Sequence, residues 1–212
     1  ARNRAMQTSQ LSLLKRLADL FCLPKPPERI EVYDNSHIQG TNAVGAMIVA
    51  GAEGFEKKSY RKFNIRDGIV EPHNKQQSAS NPNPINSRSI GVAGDDYFMM
   101  RQVLKRRFAK VASSTAGGRK VVIPDLVVID GGAGHLSASL DVAEELKLRG
   151  ICFVAIAKGP DRNAGREVFH QSGKKAFSLQ PNDPLLYYLQ RLRDEAHRFA
   201  IEAHRARRLK AM

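Results

Sequence analysis

The chain has 212 residues, of which 42% are hydrophobic, enough for one medium-sized domain with a buried core. Its formal net charge of +13 favours nucleic acid, an anionic membrane or an acidic protein as a partner. The only cysteines, Cys22 and Cys152, form no CxxC pair, which argues against a disulfide scaffold or a thiolate zinc site. Because the sequence also contains no signal peptide and no long apolar run, we expect a cytoplasmic protein. We also expect the isolated domain to be monomeric.

The first half of the chain predicts a helix followed by antiparallel strands. Leucines at helical spacing fill the first segment, and three prolines at 24, 26 and 27 end it. The region rich in Asn, Pro, Ser and Gln has no period, and we expect a long flexible loop there. In chain order the predicted elements are a helix at 5–22, strands at 30–34, 43–50 and 55–65, the last two as a hairpin, and the loop at 68–90.

The second half alternates helices and strands. The predicted elements are a helix at 95–110, a small-residue loop at 112–120, a strand at 126–130, a helix at 135–148, a strand at 151–157, a hairpin at 166–179 and a last helix from 183 to about 208. Asp183 and Pro184 form a good cap and first position for that last helix. Antiparallel strands followed by alternating elements predict an α/β fold, with a mixed sheet flanked by helices.

Two of the predicted apolar strands end in an aspartate, Asp34 and Asp130. If these strands are parallel neighbours, their carboxyl ends meet at one edge of the sheet and bring the two carboxylates close together. Like charges at that separation repel unless a cation lies between them, and Mg²⁺ or Mn²⁺ prefers such oxygen ligands. The pair therefore indicates a metal site for phosphodiester hydrolysis, although each aspartate could instead only cap its strand or the following turn.

Two further segments precede helices. In Gly94-Asp95-Asp96, one acid is expected to cap the helix, and the second could point into the site. The glycine-rich turn at 131–134 could hold a phosphate on its backbone N–H groups, but the need for a tight turn explains its glycines equally well.

The last helix carries an apolar stripe and, rotated from it, a second stripe of charged and ionisable residues. That second stripe consists of Arg193, His197, His204 and Arg208. Such a face suits scissile phosphates, while a solvated basic face is the alternative. The loop that follows the strand at 151–157 holds three more cations that could grip a DNA backbone without reading sequence. The residues predicted to contact DNA are Lys158, Arg162, Arg166, Arg193 and Arg198.

Five segments, in order, resemble the UvrC family of bacterial excision nucleases. They are 33–40 (YDNSHIQG), 94–97 (GDDY), 124–132 (PDLVVIDGG), 158–159 (KG) with Arg162 and Gly165, and 193–200 (RDEAHRFA). The resemblance extends from about residue 29 to the end of the chain and is interrupted at 68–90 and 112–120. Five ordered segments are far more specific than any one of them.

This resemblance implies a ribonuclease H-like fold and the 5′ incision of nucleotide excision repair. It makes Asp34 and Asp130 the core metal-binding aspartates, for Mg²⁺ or Mn²⁺, and marks Asp96 as a further functional acid. His197 takes the place where many proteins of this fold carry another carboxylate, so it would ligate the metal or transfer a proton to the leaving group. The implied partners are double-stranded DNA held by UvrB and, indirectly, UvrA.

The resemblance also sets the expected domain organisation. Residues 1–28 would be an N-terminal helix and linker, and residues 29–212 the endonuclease domain. The family's N-terminal nuclease module for the 3′ cut, its UvrB-binding segment and its C-terminal helix-hairpin-helix unit are not expected in this chain.

Two other functions stay open at this point. A catalytically inactive nucleic-acid-binding module of the same fold would use the basic face alone. An α/β enzyme acting on a phosphorylated metabolite would use the 131–134 turn, but it would explain neither the charge nor the acids. The presence of Asp34, Asp130 and His197 together favours the nuclease.

Overall fold

The computed structural model describes residues 2–36, 44–65, 93–113, 122–159 and 166–210. The helices in these ranges are α1 (Arg2–Phe21), α2 (Ala93–Ser113), α3 (Ala133–Glu145) and α4 (Pro184–Lys210). The strands are β1 (Ile30–Ser36), β2 (Val44–Gly51), β3 (Gly54–Phe55), β4 (Arg61–Asn64), β5 (Leu126–Asp130), β6 (Cys152–Ala157) and β7 (Val168–Gln171). None of the helices in the described ranges is long and apolar enough to cross a membrane.

The strands form one mixed sheet, as the sequence predicts. Its order is β3-β2-β1-β5-β6-β7, and β4 also pairs with β2. The central strands β1, β5 and β6 are parallel, whereas β2 and β7 run antiparallel to their neighbours at either side. The parallel centre places the carboxyl ends of β1 and β5 at the same edge of the sheet.

Helices cover both faces of the sheet because the side chains of each strand alternate between them. Ile30 and Val32 of β1 pack with α1 and α4, while Tyr33 packs with α2 and α3. The central strand β5 is buried on both faces, which explains its continuous apolar sequence. By the same alternation, Asp34 lies on the face of α4 and Asn35 on the face of α2.

Helix α1 packs into the same core as the sheet. Leu14, Leu17 and Phe21 are almost fully buried, in one cluster with β1 and α4. Burial of a side chain of this size contributes about 1.5–3 kcal/mol, so α1 adds several such contributions to the domain. The N-terminal helix, which the sequence analysis placed in a separate segment at residues 1–28, thus packs against the domain at 29–212.

Several predicted elements differ in the structure. Helix α2 begins at Ala93, so Asp95 and Asp96 lie within its first turn and neither is the cap that the sequence predicted. The strand predicted at 55–65 is divided into β3 and β4 by a turn of 3₁₀ helix at Lys57–Ser59. Helix α3 ends at Glu145 instead of 148, because the chain turns at Lys147 with a φ of 53°. The hairpin predicted at 166–179 is reduced to β7, which pairs with β6, and a single bridge between Phe169 and Phe177.

Two predicted loops fall largely outside the described residues. The loop at 68–90 lies wholly outside them. Of the loop at 112–120, the first two residues belong to α2 and the remainder lies outside.

A buried ionic cluster joins β1 to α2. The Glu31 carboxylate is fully buried and accepts hydrogen bonds from Arg107 Nη2 at 2.6 Å and Arg29 Nε at 2.9 Å. It also accepts one from the Tyr33 hydroxyl at 2.6 Å, and burial, followed by the charge of Glu31, raises the pKa of Tyr33 well above its usual value. Each oxygen of the buried carboxylate therefore has at least one donor.

Replacing Arg107 with alanine is expected to lower the free energy of unfolding by about 3–5 kcal/mol, because a buried carboxylate loses its bidentate partner. Arg101→Ala is the matched control on the same helix. Arg101 pairs with the exposed Asp141, and its loss should cost about 0–1 kcal/mol. Equilibrium denaturation measures both values, and equal losses would contradict the importance of the buried cluster.

Candidate active site

The paired aspartates lie where two parallel strands end side by side. Tyr33 of β1 pairs with Ile129 of β5, and the next residues along the two strands are Asp34 and Asp130. The predicted adjacency of these strands is confirmed. The two aspartates open into a cleft of about 520 Å³ that is lined by Asp34, Asn35, Asp96, Asp130, Gly131, Gly132, His135, Ala157, Lys158 and His197.

Helix α4 brings a histidine to the first aspartate. Leu189, Leu192 and Ala196 anchor α4 in the core, and His197 follows at the edge of that stripe. His197 Nδ1 lies 2.9 Å from Asp34 Oδ2. Since an ionised carboxylate can only accept a hydrogen bond, Nδ1 donates in this pair and Nε2 is the nitrogen able to accept a proton. The carboxylate is 8% exposed and the histidine 54%, so the ring is open to a ligand.

A buried arginine holds the second aspartate. Arg193 Nε lies 3.4 Å from Asp130 Oδ1, and Arg193 Nη1 lies 3.5 Å from Glu167 Oε1. Glu167 accepts two hydrogen bonds from Gln190 Nε2, both at 3.0 Å. Burial raises the pKa of Asp130, and the charge of Asp34 adds to this effect while Arg193 opposes it. The two aspartates therefore interact electrostatically, as two carboxylates that share a cation site would.

The burial of Arg193 bears on its predicted role. Its side chain is only 9% exposed and lies between Asp130 and Glu167. This position favours a role in fixing Asp130 over the DNA contact that the sequence suggested. Sequence reasoning missed Glu167, which looked like the last residue of a polar loop, because its burial depends on contacts with α4.

Asp96 lines the same cleft from the first turn of α2. Its charge raises the pKa of His135, but burial of that ring has the larger effect and lowers the pKa overall. The ring of Tyr97 packs edge-on against His135, with centroids 4.8 Å apart. Sequence reasoning assigned no role to His135, whose place in the cleft follows from the turn before α3. The side chain of Asp95, the other acid of the pair, lies outside the described residues.

Packing accounts for two glycines of the 131–134 turn. A Cβ atom on Gly131 would lie 2.5 Å from the His135 ring, and one on Gly134 would lie 2.4 Å from the Tyr97 hydroxyl oxygen. Both positions need glycine to let the rings approach the backbone. Close packing against the two rings therefore explains these two glycines.

The remaining predicted DNA contacts have different surroundings. Lys158 is exposed and lines the cleft, and Arg166 is exposed beside Gly159, its neighbour across the loop. Arg198 is half-exposed and pairs with Glu195 and Glu202 on its own helix, which partly neutralises its charge. Arg162 lies outside the described residues, as do the side chains of His204 and Arg208.

The donor atoms at the cleft suit a hard divalent cation completed by substrate. Among the described residues, no cluster of three or more acidic, histidine or cysteine side chains forms a ready-made metal site. However, Mg²⁺ commonly takes only one or two carboxylates from a protein and completes its shell with water and phosphate oxygens. Both polar atoms of the Asn35 amide are buried in the cleft wall without a hydrogen-bond partner in the described ranges, which leaves a further oxygen available. The paired carboxylates of Asp34 and Asp130 therefore fit such an ion.

A mixed sheet with paired aspartates at its parallel centre, and a helix that brings a histidine to them, places the chain in the ribonuclease H-like class. The family described as "UvrC RNAse H endonuclease domain" matches residues 18–201. The chain belongs to this family, as its five sequence segments indicate.

Curated relatives extend this match over the whole chain. It is 50% identical over 212 residues to the UvrABC system protein C of Ruegeria sp. (strain TM1040), covering 100% of this chain and 30% of that protein. It is 52% identical over 210 residues to the protein of the same name from Hyphomonas neptunium, covering 98% of this chain and 31% of that protein. The chain thus spans about 30% of the length of these relatives.

Solved structures of endonuclease V are also similar to this chain. Human ENDOV matches with a TM-score of 0.38 and 13% identity, over 86% of this chain and 67% of that chain. The Ciona intestinalis enzyme, in complex with inosine-containing DNA, matches with a TM-score of 0.36 and 14% identity, over 74% of this chain and 58% of that chain. Similarity at this level says nothing about the chemistry of the cleft.

Proposed function

We propose that this domain makes the 5′ incision of nucleotide excision repair by metal-dependent, in-line hydrolysis of a DNA phosphodiester. The observation that carries the proposal is the convergence of Asp34, Asp130 and His197 in one open cleft, in a chain of the UvrC endonuclease family. The chain's net charge of +13 agrees with a nucleic-acid substrate.

Asp34 and Asp130 would hold the Mg²⁺ or Mn²⁺ ion, with the Asn35 amide beside them. When bound, such an ion lowers the pKa of a water molecule and stabilises the charge that develops on the phosphate oxygens. Arg193 and Glu167 keep Asp130 at the mouth of the cleft. This support agrees with the need for carboxylate ligands to be held in place by neighbouring hydrogen bonds.

His197 is proposed to protonate the leaving oxygen. Its Nδ1 atom is engaged by Asp34, which fixes the orientation of the ring, as a carboxylate does beside a catalytic histidine. The exposed ring can then deliver a proton from Nε2 to the strand in the cleft. Asp96 supplies a third carboxylate on the opposite wall, where it is proposed to orient water or a second ion.

The proposed partners are duplex DNA held by UvrB and, through it, UvrA. Lys158 at the cleft and Arg166 beside it are proposed to hold the phosphates that flank the cut. These contacts position a strand without reading its bases.

A domain exchange tests the function within a complete protein. The chain would replace the matching residues of the Ruegeria relative, to which it is 50% identical over its whole length. The substrate is a doubly end-labelled duplex with one bulky lesion, loaded with UvrA and UvrB. We expect both incisions from the exchanged protein, and only the 3′ incision when it also carries Asp130→Asn.

The 3′ incision is the internal control, because it requires folding and assembly but not this cleft. A protein that cuts on the 3′ side and binds DNA normally, yet never cuts on the 5′ side, would contradict the proposal. That result would favour the alternative, a catalytically inactive nucleic-acid-binding module of the same fold.

DNA binding by the chain is expected to be strongly salt-dependent and independent of sequence. Its cations neutralise phosphates and release counterions. The logarithm of the binding constant therefore falls linearly with the logarithm of the salt concentration, with a slope of about −0.9 per phosphate contacted. Titrations on two unrelated duplexes between about 50 and 200 mM salt measure this slope. A flat affinity, or a preference above about 100-fold for one sequence, would contradict electrostatic backbone binding.

A further inference from the structure

Four arginines line a second cavity, separate from the active-site cleft. The cavity, here called the arginine pocket, has a volume of about 390 Å³ and is lined by Arg29, Ser59, Arg61, Phe63, Arg106, Arg107 and Val122. None of these residues lines the cleft that holds the paired aspartates. The arginine pocket is therefore a distinct feature of the domain.

Strand β4 and helix α2 place the pocket at a distance from the cleft. Asp96 lines the cleft and Arg106 lines the pocket, and both belong to α2. Ten residues of helix, at about 1.5 Å each, separate the two sites by about 15 Å along the axis. That distance is about four base pairs of duplex, so one DNA molecule is long enough to reach both sites.

The arginine pocket has an excess of positive charge. Arg29 and Arg107 share the buried Glu31 carboxylate, and Glu56 lies 3.6 Å from Arg29. In the described ranges, neither Arg61 nor Arg106 forms an ion pair, although Arg106 donates a hydrogen bond to the backbone carbonyl of Asn64. Four guanidinium groups thus meet two carboxylates, and an anion would relieve the remaining repulsion.

The chemistry of the lining suits a phosphate group next to the apolar part of a nucleotide. Guanidinium groups bind phosphate oxygens through paired, charge-assisted hydrogen bonds. Phe63 and the exposed Val122 add an apolar wall beside the arginines, and apolar and aromatic side chains can contact the sugars and bases of a strand. The same cavity therefore offers surfaces for both chemical parts of a nucleotide.

We propose that the arginine pocket binds a backbone phosphate of a nucleic-acid strand, as an anchor outside the active-site cleft. The choice of nucleic acid as the ligand rests on the proposed function. The pocket would hold the DNA at a second point while the scissile phosphate lies at the paired aspartates.

The test is DNA binding by the double variant Arg61→Gln/Arg106→Gln. Arg29 and Arg107 are left in place because they hold the buried Glu31. The matched control is Arg149→Gln/Lys175→Gln, which removes the same charge from two exposed positions that line neither site. Fluorescence anisotropy with a short labelled duplex, in EDTA and across a salt range, gives the affinity and its salt slope.

We expect the pocket variant to bind about tenfold more weakly, from the loss of charged hydrogen bonds, with a salt slope shallower by about 1. The control should lose about twofold or less. Inorganic phosphate, added at constant ionic strength, should compete with DNA in the parent chain and not in the pocket variant. Equal affinities and slopes for the two double variants, or equal competition by phosphate, would overturn the proposal.

Two comparisons separate this proposal from others. The first comparison measures binding of a glutamate-rich peptide. If the affinity for that peptide depends on Arg61 and Arg106 while the affinity for DNA does not, the pocket is a protein-binding site and the inference is overturned. Because binding is measured in EDTA, the result does not depend on cutting. If the chain binds DNA through the pocket but makes no incision, only the proposed nuclease function is contradicted. If the pocket variant makes normal incisions and binds DNA with unchanged affinity, only the proposal for the pocket is overturned.

Discussion

Replacing Asp130 with asparagine is expected to slow single-turnover incision by about 10³-fold or more, because it removes the carboxylate charge proposed to hold the metal ion that would stabilise the transition state. The fold should survive the change. Arg193 retains Glu167 as a partner, and the exchange removes the repulsion between Asp130 and Asp34. The same loss of incision is expected for Asp34→Ala and Asp130→Ala.

The direction of the change in stability for Asp130→Asn follows from the pKa of Asp130. Burial, with the charge of Asp34, raises the pKa of Asp130, so ionising this carboxyl group costs more free energy in the folded chain than in the unfolded chain. The free energy of unfolding should therefore be equal or higher in the variant. Asp141→Asn, on the exposed surface of α3, is the control and should cut at the parental rate. An Asp130→Asn protein that has lost metal binding but still cuts at the parental rate would contradict the proposed mechanism.

Replacing His197 with alanine is expected to slow single-turnover cutting by about 10²-fold or more, with little change in DNA affinity, as for a positioned acid–base group. The physical reason is the hydrogen bond from Nδ1 to Asp34, which fixes the ring at the cleft. Cutting is measured at saturating protein, so that binding does not limit the rate.

His204→Ala is the internal comparison for this prediction. His204 lies two helical turns further along α4, and its loss should affect backbone binding at most. Equal and mild effects of the two substitutions would mean that His197 belongs only to a basic face. The proposal for its proton transfer would then be withdrawn.

The sequence predicted the core of the site because that core depends on local patterns. Apolar runs that end in Asp34 and Asp130 need only a parallel register between two strands to meet, and the register of β1 with β5 provides it. The helical spacing of Arg193 and His197 also placed them on one face. In the structure, Arg193 contacts Asp130 and His197 contacts Asp34.

The rest of the site depends on tertiary contacts that no local pattern encodes. Periodicity puts Arg193 and His197 on one face but cannot tell which is buried; the end of β5 and the segment of Glu167 bury Arg193 while His197 stays open. Glu31 likewise sits in a strand that was interpreted only as apolar, and its partner Arg107 is 76 residues away. Such pairs become visible only when the elements are assembled.

Manganese binding tests the central claim most directly, because the proposed chemistry depends on an ion between the two aspartates. Crystals of the chain would be soaked in millimolar Mn²⁺ and examined by anomalous diffraction, alongside crystals of the Asp130→Asn variant. The account predicts an anomalous peak between Asp34 and Asp130 in the parent protein and its loss in the variant. An empty site in the parent at that concentration, or a peak held elsewhere and unaffected by Asp130→Asn, would contradict it.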